Sequence, residues 1–336
     1  MRALVGVMGA AALVLAGAAG PATAADAGRG EGRNDGFTIE DPRITESSGL
    51  AASRAHPGVY WTHNDSDDGA HLYAVDSRTG RTVATLTLSG VGAPRDVEAV
   101  SIGPDGDLYV GDIGDNLGGT WDHVWIYRLP EPKELRDQTV KATQYVVKYA
   151  DGARDAEALM VHPKTGRVYI ADKKRGGGGG LYAGPAELSA SGTNVFRRVA
   201  DVDLWTTDGA FSPDGRRLLL RGYFEATSYV WKGGRPVDPE RADVPLQRQG
   251  ESVTYSPDGT TLMYGSEGRG SEVEPIAAPG APDPEPTGGA AESPSGKGSS
   301  AADGKSGEDR SLGAGAVVIA LVLAAALGLK RLFRKS

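Results

Sequence analysis

RDVEAVSIGPDGDLYVGDIGDN, Arg95 to Asn116, is the stretch that decides the architecture. β-Branched and aromatic residues alternate with small and polar ones over Glu98–Ile102 and again over Asp107–Gly111, which predicts two strands. Gly103 to Gly106 predicts the tight turn between them, because Pro104 presets φ and Gly106 accepts a positive φ. Antiparallel pairing sets the start of the first strand beside the end of the second. Asp96 and Glu98 therefore fall on the same edge as Asp112, Asp115 and Asn116. The hairpin carries a knot of carboxylates at one end.

Working outward, the same pattern recurs along the chain. The copies are ESSGLAASRAHPGVYWTHNDSDDG (46–69), EAVSIGPDGDLYVGDIGDN (98–116), EALMVHPKTGRVYIADKK (157–174), DGAFSPDGRRLLLRGYFE (208–225) and ESVTYSPDGTTLMYGSEG (251–268). Each has an acidic start, a short apolar strand, a Pro/Gly turn and a second strand. Their starts lie roughly 40–60 residues apart, which suits a four-stranded blade. Further strands fill the intervals: His71–Asp76 and Thr82–Leu88 after the first copy, Val124–Leu129 and Lys141–Lys148 after the second. The expected fold is all-β, a β-propeller of five blades over 37–275, with six as the competing count. Only Ser271–Ile276 follows the fifth copy, and Phe37–Arg43 has no blade of its own. The N-terminal strand is thus expected to complete the last blade, which would remove exposed sheet edges.

The ends of the chain read differently. Residues 1–24 have the outline of a signal peptide: Arg2, an apolar run to Ala19, and Ala22-Thr23-Ala24 as cleavage site. Residues 25–36 form a polar leader, and 276–311 a Pro/Gly/Ser-rich linker. Residues 312–329 are apolar and would make about 27 Å of helix, enough to span a bilayer. The basic tail 330–336 places the C-terminus in the cytoplasm by the positive-inside rule. The expectation is a single-pass membrane protein with its propeller outside the cell. The chain has no cysteine, which excludes disulfides, thiol catalysis and Cys-based metal sites. A formal net charge of -8 argues against nucleic acid as partner.

The span 37–275 resembles bacterial exported β-propellers of the YVTN/WD40-like kind, a group identified with esterase-like relatives of phytase. Glu46-Ser47-Ser48-Gly49-Leu50, Trp61-Thr62-His63-Asn64-Asp65-Ser66 and Gly111-Asp112-Ile113-Gly114-Asp115-Asn116 carry the resemblance, with SPDG-like turns in support. It implies a hydrolase, yet no catalytic residue of true phytases maps onto this sequence.

In each copy the start of the inner strand meets the end of the second strand, so the acids should ring one opening. Carboxylates crowded without matching cations repel, and a hard ion such as calcium relieves them with oxygen ligands. The expected metal ligands are Asn64, Asp65, Asp67, Asp96, Glu98, Asp112, Asp115 and Asn116. Glu46, His63, Glu157, Asp172, Lys173, Arg221, Glu251 and Glu267 are the expected contacts of a ligand at the same opening. In the fourth copy the glutamate position, counted back from Pro213, falls on Thr207, and Asp208 would face the other way unless a bulge intervenes.

The leading functional reading is a cell-surface module binding a cation and a small-molecule, carbohydrate or protein ligand. Its rival is a metal-assisted phosphatase or esterase. A glycosidase would use a pair from Asp65, Asp112 and Glu157, with Trp61, Trp121, Trp125 and Tyr109 stacking on sugar. In a purely structural module the acids would tie blades together through backbone N–H groups or Arg95, Arg154 and Arg221. No G-x-S-x-G is present, and the Arg175–Gly180 glycine run lacks the Lys-Ser/Thr ending of a phosphate loop.

Overall fold

The structure is a computed structural model that describes residues 34–66 and 68–281. The expected signal peptide, membrane helix and basic tail, most of the expected leader and linker, and Asp67 lie outside the described residues. Among the described residues no helix is long and apolar enough to cross a membrane.

The chain forms successive antiparallel meanders. A two-residue strand β1 (Phe37–Thr38) comes first, followed by β2 (Ser47–Ala52), β3 (Val59–Asn64), β4 (His71–Asp76) and β5 (Arg81–Ser89). The next meander contains β6 (Val97–Ile102), β7 (Asp107–Asp112), β8 (Val124–Pro130) and, after the short β9 (Gln138–Lys141), β10 (Thr143–Tyr149). Then come β11 (Ala156–Val161), β12 (Val168–Asp172), β13 (Gly179–Ala183) and β14 (Thr193–Val202). The fourth group is β15 (Thr206–Phe211), β16 (Arg217–Gly222), β17 (Ala226–Lys232) and β18 (Arg235–Ala242). The last is β19 (Gly250–Tyr255), β20 (Thr261–Ser266) and β21 (Glu272–Ala277). Strand β1 pairs with β21, Phe37 opposite Val273, so the N-terminal strand does join the last sheet. It is far shorter than the sequence suggests, because the chain turns at Asp41–Arg43, where Asp41 ties the Arg43 side chain and N–H.

The first strands of the meanders, β2, β6, β11, β15 and β19, pack side by side, and β19 returns against β2. Each neighbouring pair of sheets buries its own apolar layer. Trp61, Leu72 and Leu86 meet Val100, Leu108 and Tyr127. Ile126 and Val147 meet Leu159 and Ile170. Met160 and Leu181 meet Leu218 and Leu220. Leu219 meets Val253 and Leu262, and Met263 and Val273 meet Leu50 and Tyr73. Each such side chain contributes about 1.5–3 kcal/mol on burial, and the layers supply what disulfides cannot. The architecture is all-β and propeller-like.

Two details matter for the site. The inner hairpins turn at Gly106, Gly166, Gly215 and Gly259, all at positive φ, as the Pro/Gly punctuation predicts. At the other end, every inner strand slips register by one residue against its partner. The slips fall between Val97 and Ala99, Ala156 and Ala158, Thr206 and Asp208, and Gly250 and Ser252. In the first sheet the slip lies between Ser47 and Leu50. The extra residues are Glu98, Glu157, Thr207 and Glu251, with Ser48-Gly49 at the corresponding place. A bulge leaves its extra residue unpaired and re-aims its side chain.

Candidate functional site: a carboxylate-lined mouth

The bulges and the residues just beyond each second strand build the site. Asp65, Lys173 and Tyr223 immediately follow β3, β12 and β16, and each rises at the end where the glutamates sit. Asp65 is fixed by its backbone: its N–H donates to Glu46 O (3.0 Å), and its carbonyl accepts from Val97 N (3.0 Å) in the next sheet. That bond sets Asp65 beside the start of β6. Carboxylate oxygens of Asp65, Asp96 and Glu98 all lie within 4.8 Å of one another, and all three residues are buried. Ser48 Oγ donates to Glu98 Oε2 (3.2 Å) and Asn116 Nδ2 to Asp96 Oδ2 (2.9 Å). Gly114 forms the floor. A Cβ there would stand 2.5 Å from Glu98 Oε1 and 2.8 Å from Asp96 Cγ, so the two carboxylates occupy the space a side chain would need. Burial, reinforced by Asp65, Glu157 and Asp96, pushes the Glu98 carboxyl well above the usual range.

Across the mouth stand Glu157, Lys173 and Glu251. Lys173 Nζ donates to Glu157 Oε1 at 2.5 Å. Burial raises the Glu157 carboxyl to about 8 even though Lys173 opposes the shift. Burial also disfavours the Lys173 ammonium, but Glu157, Tyr223, Glu251 and Glu98 outweigh it and raise its pKa. Glu251 is pushed well above the ordinary range, by burial first and then by Glu157 and Glu267 against the pull of Lys173. Glu46 is half-buried on the first sheet and accepts from Ser66 Oγ (3.0 Å).

The remaining expected residues have partners of another kind. Asp112 accepts from Arg95 N (3.1 Å), Asp96 N (2.9 Å) and Tyr127 Oη (2.6 Å). Asn64, at the same position in the first sheet, accepts from Thr45 N (2.9 Å) and Glu46 N (3.0 Å). Asp172, the counterpart in the third, holds Arg154 Nη1 (2.9 Å) and Gly180 N (2.6 Å). Asp115 caps its own loop through Thr120 and Trp121 (2.7 Å to Trp121 N). Arg221 donates to Ser252 O (2.7 Å) and Gly265 O (3.0 Å), a strut into the last sheet. His63 accepts from Gly49 N (3.2 Å) and faces Asn64 O (3.1 Å), and burial lowers its pKa to about 4, so it is a neutral core imidazole. For these residues the structural account is the one the geometry gives.

Thr207 occupies the bulge of the fourth sheet, and Asp208 turns into the seam, accepting from Val253 N (2.8 Å) and Gly209 N (2.7 Å). The aromatics expected to stack on sugar have partners within the protein. Trp61 is fully buried with its Nε1 on Glu131 (2.7 Å), Tyr109 is in the core, and Trp121 and Trp125 sandwich Arg95. The aromatic beside Lys173 at the mouth is Tyr223. Comparing the residues after the second strands, Asp65, Ile113, Lys173, Tyr223 and Glu267, was the signal that could have found it.

By sequence the chain matches no protein-family profile and no curated protein. Solved structures with a similar fold include a PQQ-bound aldose sugar dehydrogenase from Streptomyces coelicolor, at 13% identity and TM-score 0.42, covering 72% of this chain and 99% of that one. Another is a gluconolactonase from Xanthomonas campestris, at 19% identity and TM-score 0.45, covering 73% and 80%. A glucose dehydrogenase gives 12% identity and TM-score 0.46, covering 72% and 99%. Likenesses this distant carry no activity over to this chain.

Proposed function

We propose that the chain is a five-bladed propeller, closed by β1 and held at the cell surface by its C-terminal helix, that binds a divalent cation at Asp65, Asp96 and Glu98. One observation carries the reading: three buried carboxylates converge within 4.8 Å. Calcium suits them, because it takes six to eight oxygens and tolerates irregular geometry. Asp65, Asp96 and Glu98 offer up to two oxygens each, and Asn116 and Ser48 stand against the same carboxylates. The cyclic packing of the inner strands supports the blade count.

The test is the melting midpoint of the full chain with calcium and with chelator. Ion at a hundredfold excess over its Kd should add about 2.7 kcal/mol by mass action. Asp96→Asn should abolish that rise. No rise at about millimolar calcium would overturn the reading.

A metal-assisted hydrolase is favoured by one further feature, the Glu157 carboxyl across the mouth from the cluster, which burial raises above the usual carboxylate range and which lies 2.5 Å from Lys173 Nζ. Such a group can protonate a leaving oxygen. Ester turnover that needs calcium and is lost in Glu157→Gln is the expected sign; its absence across an ester screen removes this reading and leaves the ion site standing.

A further inference from the structure

The half of the mouth away from Asp65 and Asp96 contains a carboxyl that uses only one of its two oxygens. Glu251 is 5% exposed. Its Oε1 accepts from Gln249 Nε2 at 3.0 Å, while Oε2 has no hydrogen-bond partner among the described residues. Buried polar atoms without partners are rare and costly, and one among the facing acids of the candidate site points to a ligand. The bulge aims this carboxyl toward Lys173, Glu157 and Glu267, the groups that act on it most strongly after burial.

We propose that Glu251, Lys173 and Tyr223, with Trp205 against Tyr223, form a binding site for a neutral polyhydroxylated ligand, a saccharide. The neighbours carry both signs, with Lys173 and the Arg175 guanidinium, 5.1 Å from the Trp205 ring, on one hand and Glu157, Glu251 and Glu267 on the other. An ammonium would meet the Lys173 cation, whose Nζ already sits 2.5 Å from Glu157. A carboxylate or phosphate would face Glu157, Glu251 and Glu267. A hydroxyl both donates and accepts, so it pairs with Glu251 Oε2 whether or not that carboxyl holds a proton.

The aromatic side supplies the other half of sugar recognition. Tyr223 and Trp205 meet edge to face, with centroids 4.8 Å apart at 69°. Lys173 Nζ lies 5.4 Å from the Tyr223 ring. Trp205 is half-buried and Phe224 is 42% exposed, so the apolar wall continues from the mouth to the surface. A sugar ring offers C–H groups to such a wall and hydroxyls to the carboxyl. The site adjoins the proposed ion site but does not require it.

The test titrates the purified full chain with D-glucose, maltose and N-acetylglucosamine, followed by tryptophan fluorescence and calorimetry. Glucosamine and glucuronate serve as charged counterparts. At least one neutral sugar should bind and quench a signal that disappears in Trp205→Phe. The charged sugars should bind at least about tenfold more weakly. Glu251→Gln should weaken binding about tenfold or more while keeping the calcium-induced rise in melting midpoint. If that variant fails to fold, Trp205→Ala, at a half-buried position, must show the same loss. No binding by any neutral sugar at about 100 mM, or equal binding of the charged sugars, overturns the proposal. So does affinity indifferent to the substitutions.

Discussion

Asp112 and Glu98 lie on one pair of strands, both shut away from water, and they meet burial in opposite ways. Asp112 is wholly buried and receives two backbone N–H groups and the Tyr127 hydroxyl. Glu98 is 3% exposed, has Ser48 as its side-chain donor, and faces Asp65 and Asp96. The strand register makes the difference. Asp112 keeps a pairing partner, Val97, at the edge of the bulge, and its carboxylate reaches back over the entry to β6. Glu98 is the extra residue of the bulge and is turned toward the other sheets. The first acid is completed by its own chain. The second, on the proposed reading, awaits a proton or a cation from outside.

The largest effect should come from exchanging their fates. Asp112→Ala strands two N–H groups and a phenol hydroxyl, at a cost of about 3 kcal/mol or more. Glu98→Gln removes one of several crowded charges and should leave stability in chelator unchanged or higher, while abolishing the response to calcium. Urea denaturation of both variants, with and without calcium, reads the contrast directly. Equal destabilisation by the two would erase the distinction between them.

A smaller effect is expected from pH. The folded pKa of Glu157, about 8, lies above its ordinary 4.5. Between those values the folded state binds more protons, so its contribution is fully present below about 4.5 and lost as pH rises toward 8. Glu98 and Glu251 shift in the same direction. His63, lowered from 6.5 to about 4, acts oppositely and costs stability only as pH falls below 6.5. In chelator the melting midpoint should therefore fall from pH 6.5 to 8.5. Calcium should offset the fall, since an ion binds the deprotonated carboxylates and its affinity grows as protons leave. A midpoint that rises over that range, without calcium, would show that the mouth acids are satisfied as Asp112 is.

Much of this was legible before any coordinates. Gly103 to Gly106 marked the turn, and the strands at Glu98–Ile102 and Asp107–Gly111 are found within one residue, as Val97–Ile102 and Asp107–Asp112. Turn chemistry is local, so it can be read locally. Proximity of Asp65, Asp96 and Glu98 was also readable, because it follows from repeating one hairpin. The split among the acids was not. Strand alternation alone assigns Asp112 and Glu98 to the same edge, and only the one-residue slip decides which of them faces a neighbour and which faces the opening. Thr207 shows the limit well. Counting back from Pro213 put Thr207 at the glutamate position and left Asp208 facing the other way unless a bulge intervened; the bulge is there, but it takes Thr207, and Asp208 still accepts from Val253 N. Tyr223 was passed over because an aromatic after a strand reads as core.

The smallest expected effect is also the sharpest probe of the mouth. Gly114 has no positive φ to explain its lack of a side chain; the reason is the 2.5 Å between a built Cβ and Glu98 Oε1. Gly114→Ala should therefore cost little in chelator, about 1 kcal/mol, because the methyl displaces side-chain carboxylates rather than backbone. The displaced Glu98 and Asp96 can no longer converge with Asp65, so the calcium-induced rise in melting midpoint should shrink or vanish. Loss of the calcium response with the fold intact would locate the ion over Gly114. A full response in that variant would mean that the ion, if bound, rests on other oxygens, and that the tight floor serves only to pack β6 against the loop after β7.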